Sequence, residues 1–439
     1  MDGLTVGIVS IVLIVLLVYV GMYVPVVLML VSFGGAWVIS GNFNVASQLL
    51  AIKSAETIAS QEFAVIPLFV LMGLLVTSSD VARELFEVAN HYLKKILAGL
   101  ALATVAANAV FAAITGVSIA SASVFTKIAV PEMLRYGYNP RFAVGVVAGS
   151  SVLGMLIPPS ILLIVYAFIV ERSVGALFLA AVVPGLLLAL GYSVLIFIYG
   201  TLWPARVGGK VTVARAGEAE DDINVREAVR RLTPIVALVT VVIGGIYGGI
   251  FTPTEAGAVG ALGALVMAIA KKRFTWKSFW TVTVDTGHIT ASISFVIISA
   301  GMYSATLGLS GIPNHLESWV TTAGLERSTL IASYILVVLL LGTIMDSISI
   351  LLIAVPIYLP LLNAAGIDLV WFGVITTIVV EVGLLTPPIG IAVFVIKSTL
   401  NDERISTADI FIGALPFAAM MLLVTLLIIA FPGLTRLLG

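Results

Sequence analysis

The chain has 439 residues, 60% of them hydrophobic and only 10% charged, with a mean hydropathy of +1.18. Soluble domains carry about 25% charge, so this composition excludes a soluble enzyme and defines a multi-span membrane protein. A net charge of −1 gives no argument for nucleic acid, and zero cysteines exclude disulfides, thiolate metal sites and cysteine nucleophiles.

About 20 apolar residues cross a bilayer as a helix. Apolar runs occupy roughly 4–22, 25–40, 62–79, 97–131, 142–170 and 174–203. The first follows Asp2 rather than a basic stretch and lacks a small-residue cleavage site, so a retained span is expected, not a signal peptide. A polar linker at 204–231 separates these runs from six more, at roughly 232–250, 254–270, 283–308, 328–362, 370–396 and 409–431. The pattern predicts two halves of equal design, 1–203 and 232–439, joined by the linker.

Two runs, 97–131 and 328–362, are too long for one crossing and carry polar residues at their centres: TGVSIASAS at 115–123 and GTIMDSIS at 342–349. Each is expected to be a re-entrant helical hairpin with its turn at the polar tip; the alternative is a pair of full spans joined by a short loop. IAVP occurs at 128–131 and again at 353–356. After each IAVP, at a similar distance, comes a proline pair inside an apolar run, in GMLIPPSI at 154–161 and GLLTPPIG at 383–390. Proline lacks a backbone N–H and disfavours helix before it, so runs 142–170 and 370–396 are expected to be broken helices. In lipid, freed backbone groups need a partner or a polar cavity, and two matching interrupted helices point to the substrate and ion site of a transporter.

Lys and Arg in the loops set orientation. Arg83, Lys94, Lys95, Arg135 and Arg141 flank the first hairpin, whereas only Arg327 flanks the second. Further basic loops hold Arg206, Lys210, Arg215, Arg226, Arg230 and Arg231; Lys271, Lys272, Arg273 and Lys277; and Lys397 with Arg404. The first hairpin then opens to the cytoplasm and the second to the outside, and these three further loops fall on the cytoplasmic side if each half has three spans, a hairpin, a broken span and a final span. The halves are then inverted relative to each other and both termini lie outside, the inverted-repeat plan of secondary transporters.

The two tips and two breaks are expected to meet near the bilayer midplane. Small residues there, Gly116, Ser118, Ala120, Ser121, Gly342 and Ser347, allow close backbone approach. Unwound carbonyls suit a hard cation such as sodium, and half-helix N-termini suit a carboxylate. Candidate ligands are Thr115, Ser118 and Ser121 in the first half and Thr343, Asp346, Ser347 and Thr386 in the second; the competing role for Ser and Thr is helix packing and back-bonding. Asp346 suits ligating an ion, relaying a proton or capping a half-helix, since an intramembrane carboxylate normally faces a cavity or a partner. Glu381, two residues before Gly383, is a lesser candidate for the same role and also suits pairing with a neighbouring helix. Asp285 and His288, at the start of run 283–308, are expected to be interfacial, and Lys127 to reach the cytoplasmic face. No GxxxxGK[ST] loop, HExxH element or catalytic triad spacing is present.

At this point the chain resembles the large membrane subunit (M subunit, DctM-like) of tripartite ATP-independent periplasmic, or TRAP, transporters. The resemblance runs almost end to end and rests on GIFTPTEAGAVGALGAL at 249–265, PEMLRYGYNPRFA at 131–143, LGMLIPPSILLIVYA at 153–167, LGTIMDSISILLIAVPIYLPL at 341–361 and GLLTPPIGIAVFV at 383–395. One departure is the first tip, TGVS where many relatives read SGS, which keeps a hydroxyl at Thr115 and loses one at Val117. The resemblance implies sodium-coupled uptake of an organic anion across the bacterial or archaeal cytoplasmic membrane by an elevator motion. It implies two partners, a periplasmic substrate-binding protein and a small membrane subunit (Q) as a separate chain. By that resemblance the sodium sites lie at Thr115, Gly116, Ser118 and Ser121 with Gly154, Ile157 and Pro158, and at Thr343, Asp346 and Ser347 with Gly383, Thr386 and Pro387. Substrate lies between the tips, at Ser118, Ser121, Pro159, Ser347 and Pro388. The alternative is a stand-alone ion-coupled carboxylate transporter or exchanger; a channel would show continuous polar stripes or charged rings, which these apolar runs lack.

Overall fold

A backbone polar group left unpaired in hydrocarbon costs several kcal/mol, so a chain this apolar folds as helices that satisfy their own backbone. The computed structural model describes residues 2–207, 223–271, 275–322, 326–400 and 402–437, and among them the regular structure is helical apart from one isolated bridge, Tyr138 to Val207. Lys210, Arg215, Lys272 and Arg273, invoked above for orientation, lie outside the described residues, as does most of the linker.

The first half contains α1 (Gly3–Tyr19), α2 (Val24–Ser40), α3 (Phe43–Ala59), α4 (Val65–Thr77), α5 (Val81–Leu93), α6 (Gly99–Thr115), α7 (Ser118–Arg135), α8 (Pro140–Ser151), the single turn α9 (Leu153–Leu156), α10 (Ile161–Val170) and α11 (Val174–Leu202). The second contains α12 (Val225–Tyr247), α13 (Pro253–Ala270), α14 (Trp276–Ser310), α15 (Ile312–Thr322), α16 (Arg327–Gly342), α17 (Ser347–Ala364), α18 (Leu369–Leu384), α19 (Ile391–Leu400) and α20 (Thr407–Ala430). Among the described residues six helices (α11–α14, α17 and α20) are long and apolar enough to cross a membrane, or up to eight spans if two bent pairs count as one each.

The apolar runs predicted from the sequence are present with shifted ends. Three helices fall outside them. α3, α5 and α15 mix charges with apolar residues, and α5 buries Val81, Ala82, Leu85, Phe86 and Val88 along one side. A search for continuous apolar runs passes over such a stripe. α14 begins at Trp276, before the expected 283, so Asp285 and His288 sit on its exposed side rather than at its start.

The helices pair across the two halves. α4 packs on α13, and α2 on α14. α8 packs on α20, and α18 on α11; α7 packs on α19, and α17 on α10. Within halves, α1 packs on α2 as α12 does on α13, and α6 on α8 as α16 does on α18. Helix ends are fastened by short polar caps. Thr252 and Glu255 form a reciprocal capping box at the start of α13, and Ser406 and Asp409 another at the start of α20.

Ion pairs gather the basic loops at one end of the bundle. Lys271 reaches Glu84 at 2.5 Å, Arg231 reaches Glu87 at 2.9 Å, and Arg141 reaches Asp409 at 2.6 Å. Arg206 joins the same end, its carbonyl accepting from the Asn139 backbone N–H at 2.9 Å. Two cavities of about 940 and 450 Å³ lie there and share Arg83, Glu87 and Arg231 in their walls; Lys127 is exposed and lines the smaller one.

Candidate functional site

The proline pairs break their helices as their chemistry requires. α9 ends at Leu156, and α10 restarts at Ser160, whose hydroxyl donates to the Met155 carbonyl at 2.5 Å and accepts from the Leu163 N–H at 3.3 Å. The two arms of this broken helix meet at 44°. In the second half α18 ends at Leu384 and α19 starts at Ile391, with Thr386 Oγ1 donating to the Val382 carbonyl at 2.8 Å. The peptide bond between the two prolines is cis in both breaks.

Each helical hairpin is closed by a short turn. α6 and α7 pack together and are joined through Gly116, at φ +64°, and Val117; α16 and α17 pack together and are joined through residues 343–346. Each turn docks onto the break of its own half by main chain. The Gly116 carbonyl accepts from the Ile161 N–H at 3.2 Å, and the Thr343 carbonyl accepts from the Ile389 N–H at 3.1 Å. Glycine is needed for this approach. A Cβ on Gly116 would stand 2.5 Å from the Pro159 carbonyl oxygen, and one on Gly154 would stand 3.1 Å from the Val117 carbonyl. Gly342 and Gly383 cross backbone to backbone, where a Cβ on either would come within 2.5 to 2.7 Å of the other's Cα.

The predicted first-half residues Thr115, Gly116, Ser118, Gly154, Ile157, Pro158 and Pro159 are therefore brought together, and all are buried. Ser121 is buried beside them, but its hydroxyl donates to Asn108 Oδ1, and Asn108 Nδ2 in turn donates to Ser150 Oγ at 2.7 Å. This Asn108 network, linking α6, α7 and α8, was not foreseen; a lone side-chain amide within an apolar run was its only signal. In the second half Thr343, Asp346, Ser347, Gly383 and Thr386 adjoin one another. Pro387 and Pro388 are exposed, unlike Pro158 and Pro159. Thr115 and Thr343 back-bond to the Phe111 and Leu340 carbonyls at 3.1 and 2.8 Å, which leaves their lone pairs free. Of the roles open to Asp346, the structure displays the cap: its carboxylate accepts the backbone N–H groups of Ile348 and Ser349 at 3.1 and 3.2 Å and the Ser349 hydroxyl.

The residue that joins the two tips is Glu381. It stands on α18, is 1% exposed, and its Oε1 accepts the Ser118 hydroxyl at 3.3 Å and the Ser347 hydroxyl at 3.1 Å. One serine opens α7 and the other opens α17, so a single carboxylate oxygen touches both hairpins. Its Oε2 is buried without a hydrogen-bond partner. Glu381 is the only charged residue of run 370–396, and that isolation was the available signal.

A helical membrane protein in which two hairpin turns and two helix breaks converge on buried hydroxyls has the build of a transporter. The comparisons give the family. Residues 11–434 match the model of the "Tripartite ATP-independent periplasmic transporter, DctM component", and the chain belongs to this family as a membrane transport component, not an enzyme. It is 37% identical over 383 residues to the C4-dicarboxylate TRAP transporter large permease protein DctM of Pseudomonas aeruginosa, covering 87% of each chain. It is 31% identical over 375 residues to the sialic acid TRAP transporter large permease protein SiaM of Vibrio cholerae, covering 85% of each. The fold is also similar to that of solved MtrF from Neisseria gonorrhoeae, described within a class of antimetabolite efflux pumps, with a TM-score of 0.61 at 14% identity over 97% of this chain and 94% of that one.

Proposed function

We propose that this permease imports an organic anion of the carboxylate class, coupled to sodium and delivered by a periplasmic binding protein, with a small membrane subunit (Q) as a further partner. The observation that carries the proposal is the main-chain docking of each hairpin turn on its own helix break, Gly116 to Ile161 and Thr343 to Ile389. This arrangement leaves hydroxyl and carbonyl oxygens with free lone pairs in each half, and such oxygens suit a hard cation. On this view one sodium position lies among Thr115, Gly116, Ser118, Ser121, Gly154, Ile157 and Pro158, and another among Thr343, Asp346, Ser347, Gly383, Thr386 and Pro387. The substrate lies between the tips, near Ser118, Ser121, Pro159, Ser347 and Pro388.

The two helices that start at the tips differ. α17 is capped by Asp346, whereas α7 follows Val117 with no side-chain cap, so the uncapped N–H groups that favour a carboxylate are those of α7. The relatives named for C4-dicarboxylates and sialic acid support an acid substrate.

Two inverted repeats, 1–203 and 232–439, underlie the scheme, with the hairpins and broken helices moving together as an elevator against the remaining helices. Support comes from the reciprocal packings, in which α4 on α13 answers α14 on α2, and α8 on α20 answers α18 on α11. The ion-paired basic end would face the cytoplasm of a bacterial or archaeal cell.

The test is reconstitution in proteoliposomes: the chain alone, with the small subunit, and with the binding protein added, each under sodium or potassium gradients. Uptake of a dicarboxylate or sialic acid that needs inward sodium and all three proteins is expected. Transport by the chain alone would favour the stand-alone exchanger, and equal uptake under potassium would remove sodium coupling. A tag in the linker at 204–231 should be reached by reagent only from inside the cell; labelling from outside would reverse the orientation.

A further inference from the structure

Glu381 is a buried carboxyl group to which the transport scheme above gives no task. It sits in α18, nearly all of whose residues are buried, and no cationic side chain among the described residues pairs with it. A carboxylate at this depth is costly unless something neutralises it. Two hydroxyl donors answer one of its oxygens, and nothing answers the other. Such a half-satisfied group is incomplete without a further partner.

The serine geometry indicates which partner. A hydroxyl has one proton to donate and two lone pairs to accept with. Because Glu381 Oε1 takes the protons of both Ser118 and Ser347, the lone pairs of both hydroxyls, which stand at the two tips, remain available to a ligand. We propose that Glu381 is the negative charge shared by two monovalent-cation positions, one at each hairpin tip, and that it orients the serine ligand of each. The proposal rests on the sodium-coupled reading above and adds to it a ligand-orienting carboxylate on a third element, α18, outside both hairpins.

The size of the effect follows from the distances. A hard cation lies about 2.4 Å from its oxygen ligands. With Ser118 at 3.3 Å and Ser347 at 3.1 Å from Oε1, a cation on either serine is within about 6 Å of the charge. At an effective dielectric of about 20 that attraction is worth on the order of 100-fold in affinity, and about threefold where water screens the site.

The experiment is a sodium titration of thermal unfolding on the purified full-length permease, with choline holding the ionic strength constant. Glu381→Gln keeps an oxygen for both serines and removes the charge. It is expected to raise the sodium concentration for half-maximal stabilisation by about 3- to 100-fold. It is also expected to raise the melting temperature in sodium-free buffer, because an uncompensated buried charge is gone. A purely structural carboxylate would give the opposite pattern, a lower melting temperature at an unchanged sodium midpoint, and that result overturns the proposal. Should Glu381→Gln not yield monodisperse protein, Glu381→Asp decides: it keeps the charge but withdraws it by one methylene, so a several-fold higher midpoint supports the proposal and an unchanged midpoint overturns it. A wild-type protein that responds equally to sodium and choline removes the sodium-coupled reading itself, an outcome distinct from a wild-type response that the variants share.

Discussion

The crossing of Gly342 and Gly383 is the most sensitive mechanical point at the second tip. In Gly383→Ala the new Cβ would lie 2.7 Å from the Gly342 Cα, where ordinary contact begins at 3.4 Å, so the backbones must part by about 0.7 Å. No rotamer relieves this, because the obstructing atoms are main chain on both sides. Overpacking of this kind costs about 1–3 kcal/mol. If the whole displacement falls on the Thr343 carbonyl and Ile389 N–H, their 3.1 Å contact lengthens to about 3.8 Å and ceases to be a hydrogen bond. The second half-site loosens while the first, held by Gly116 and Ile161, stays intact. Converting 1–3 kcal/mol gives roughly a 5- to 150-fold loss of apparent sodium affinity. The assay is sodium-dependent uptake in proteoliposomes, with Gly34→Ala as control, since nothing stands within 4 Å of a Cβ there. Wild-type sodium half-saturation in Gly383→Ala would refute the claim that this crossing holds the site together.

Other perturbations probe the frame. Gly413→Ala places a Cβ 2.0 Å from the Arg141 carbonyl, and Gly145→Ala one 2.1 Å from the Gly413 carbonyl. Each should lower stability in thermal unfolding by about 1–3 kcal/mol or more, and the double variant should lose less than the sum because one contact between α8 and α20 is broken twice. Thr252→Ala removes the capping box of α13 and should cost about 1 kcal/mol without moving the sodium midpoint, again read by unfolding with and without sodium. Asp402 is held down at about 2, from 3.8, by the Arg404 side chain and backbone N–H and by Lys397 nearby. Because that pKa is depressed, its stabilisation is present above about pH 4 and disappears as pH falls toward 2. The difference in melting temperature between wild type and Asp402→Asn should therefore be seen at pH 6 and vanish near pH 2.

Much of this arrangement could be read from the chain because its signals are local. Pro158, Pro159, Pro387 and Pro388 cannot donate, so the breaks follow from residue type, and the polar tips within overlong apolar runs announce the hairpin turns. The residues that escaped owe their place to distant partners. The sequence marks Glu381 as a lesser ion candidate than Asp346 or a partner of a neighbouring helix, but not as the link between the tips, because its contacts come from Ser118 and Ser347, 263 and 34 positions away. The sequence does not separate cap from ligand at Asp346, since both uses look alike until the backbone of α17 is seen to start beside it. Helices α5 and α15 escape an apolar-run reading because their apolar residues form stripes, and α3 because charged and polar residues interrupt it without leaving a one-sided apolar face. The exposure of the second proline pair against burial of the first has no counterpart in the sequence, where the two motifs look equivalent.

The stitches between hairpin and break run from carbonyl to amide, so they belong to no particular side chain. Residues around them can be exchanged without cutting a stitch, provided glycine remains where the backbones touch. A permease built this way can be refitted for a new solute by changing its lining while the clasp between hairpin and break is inherited unaltered.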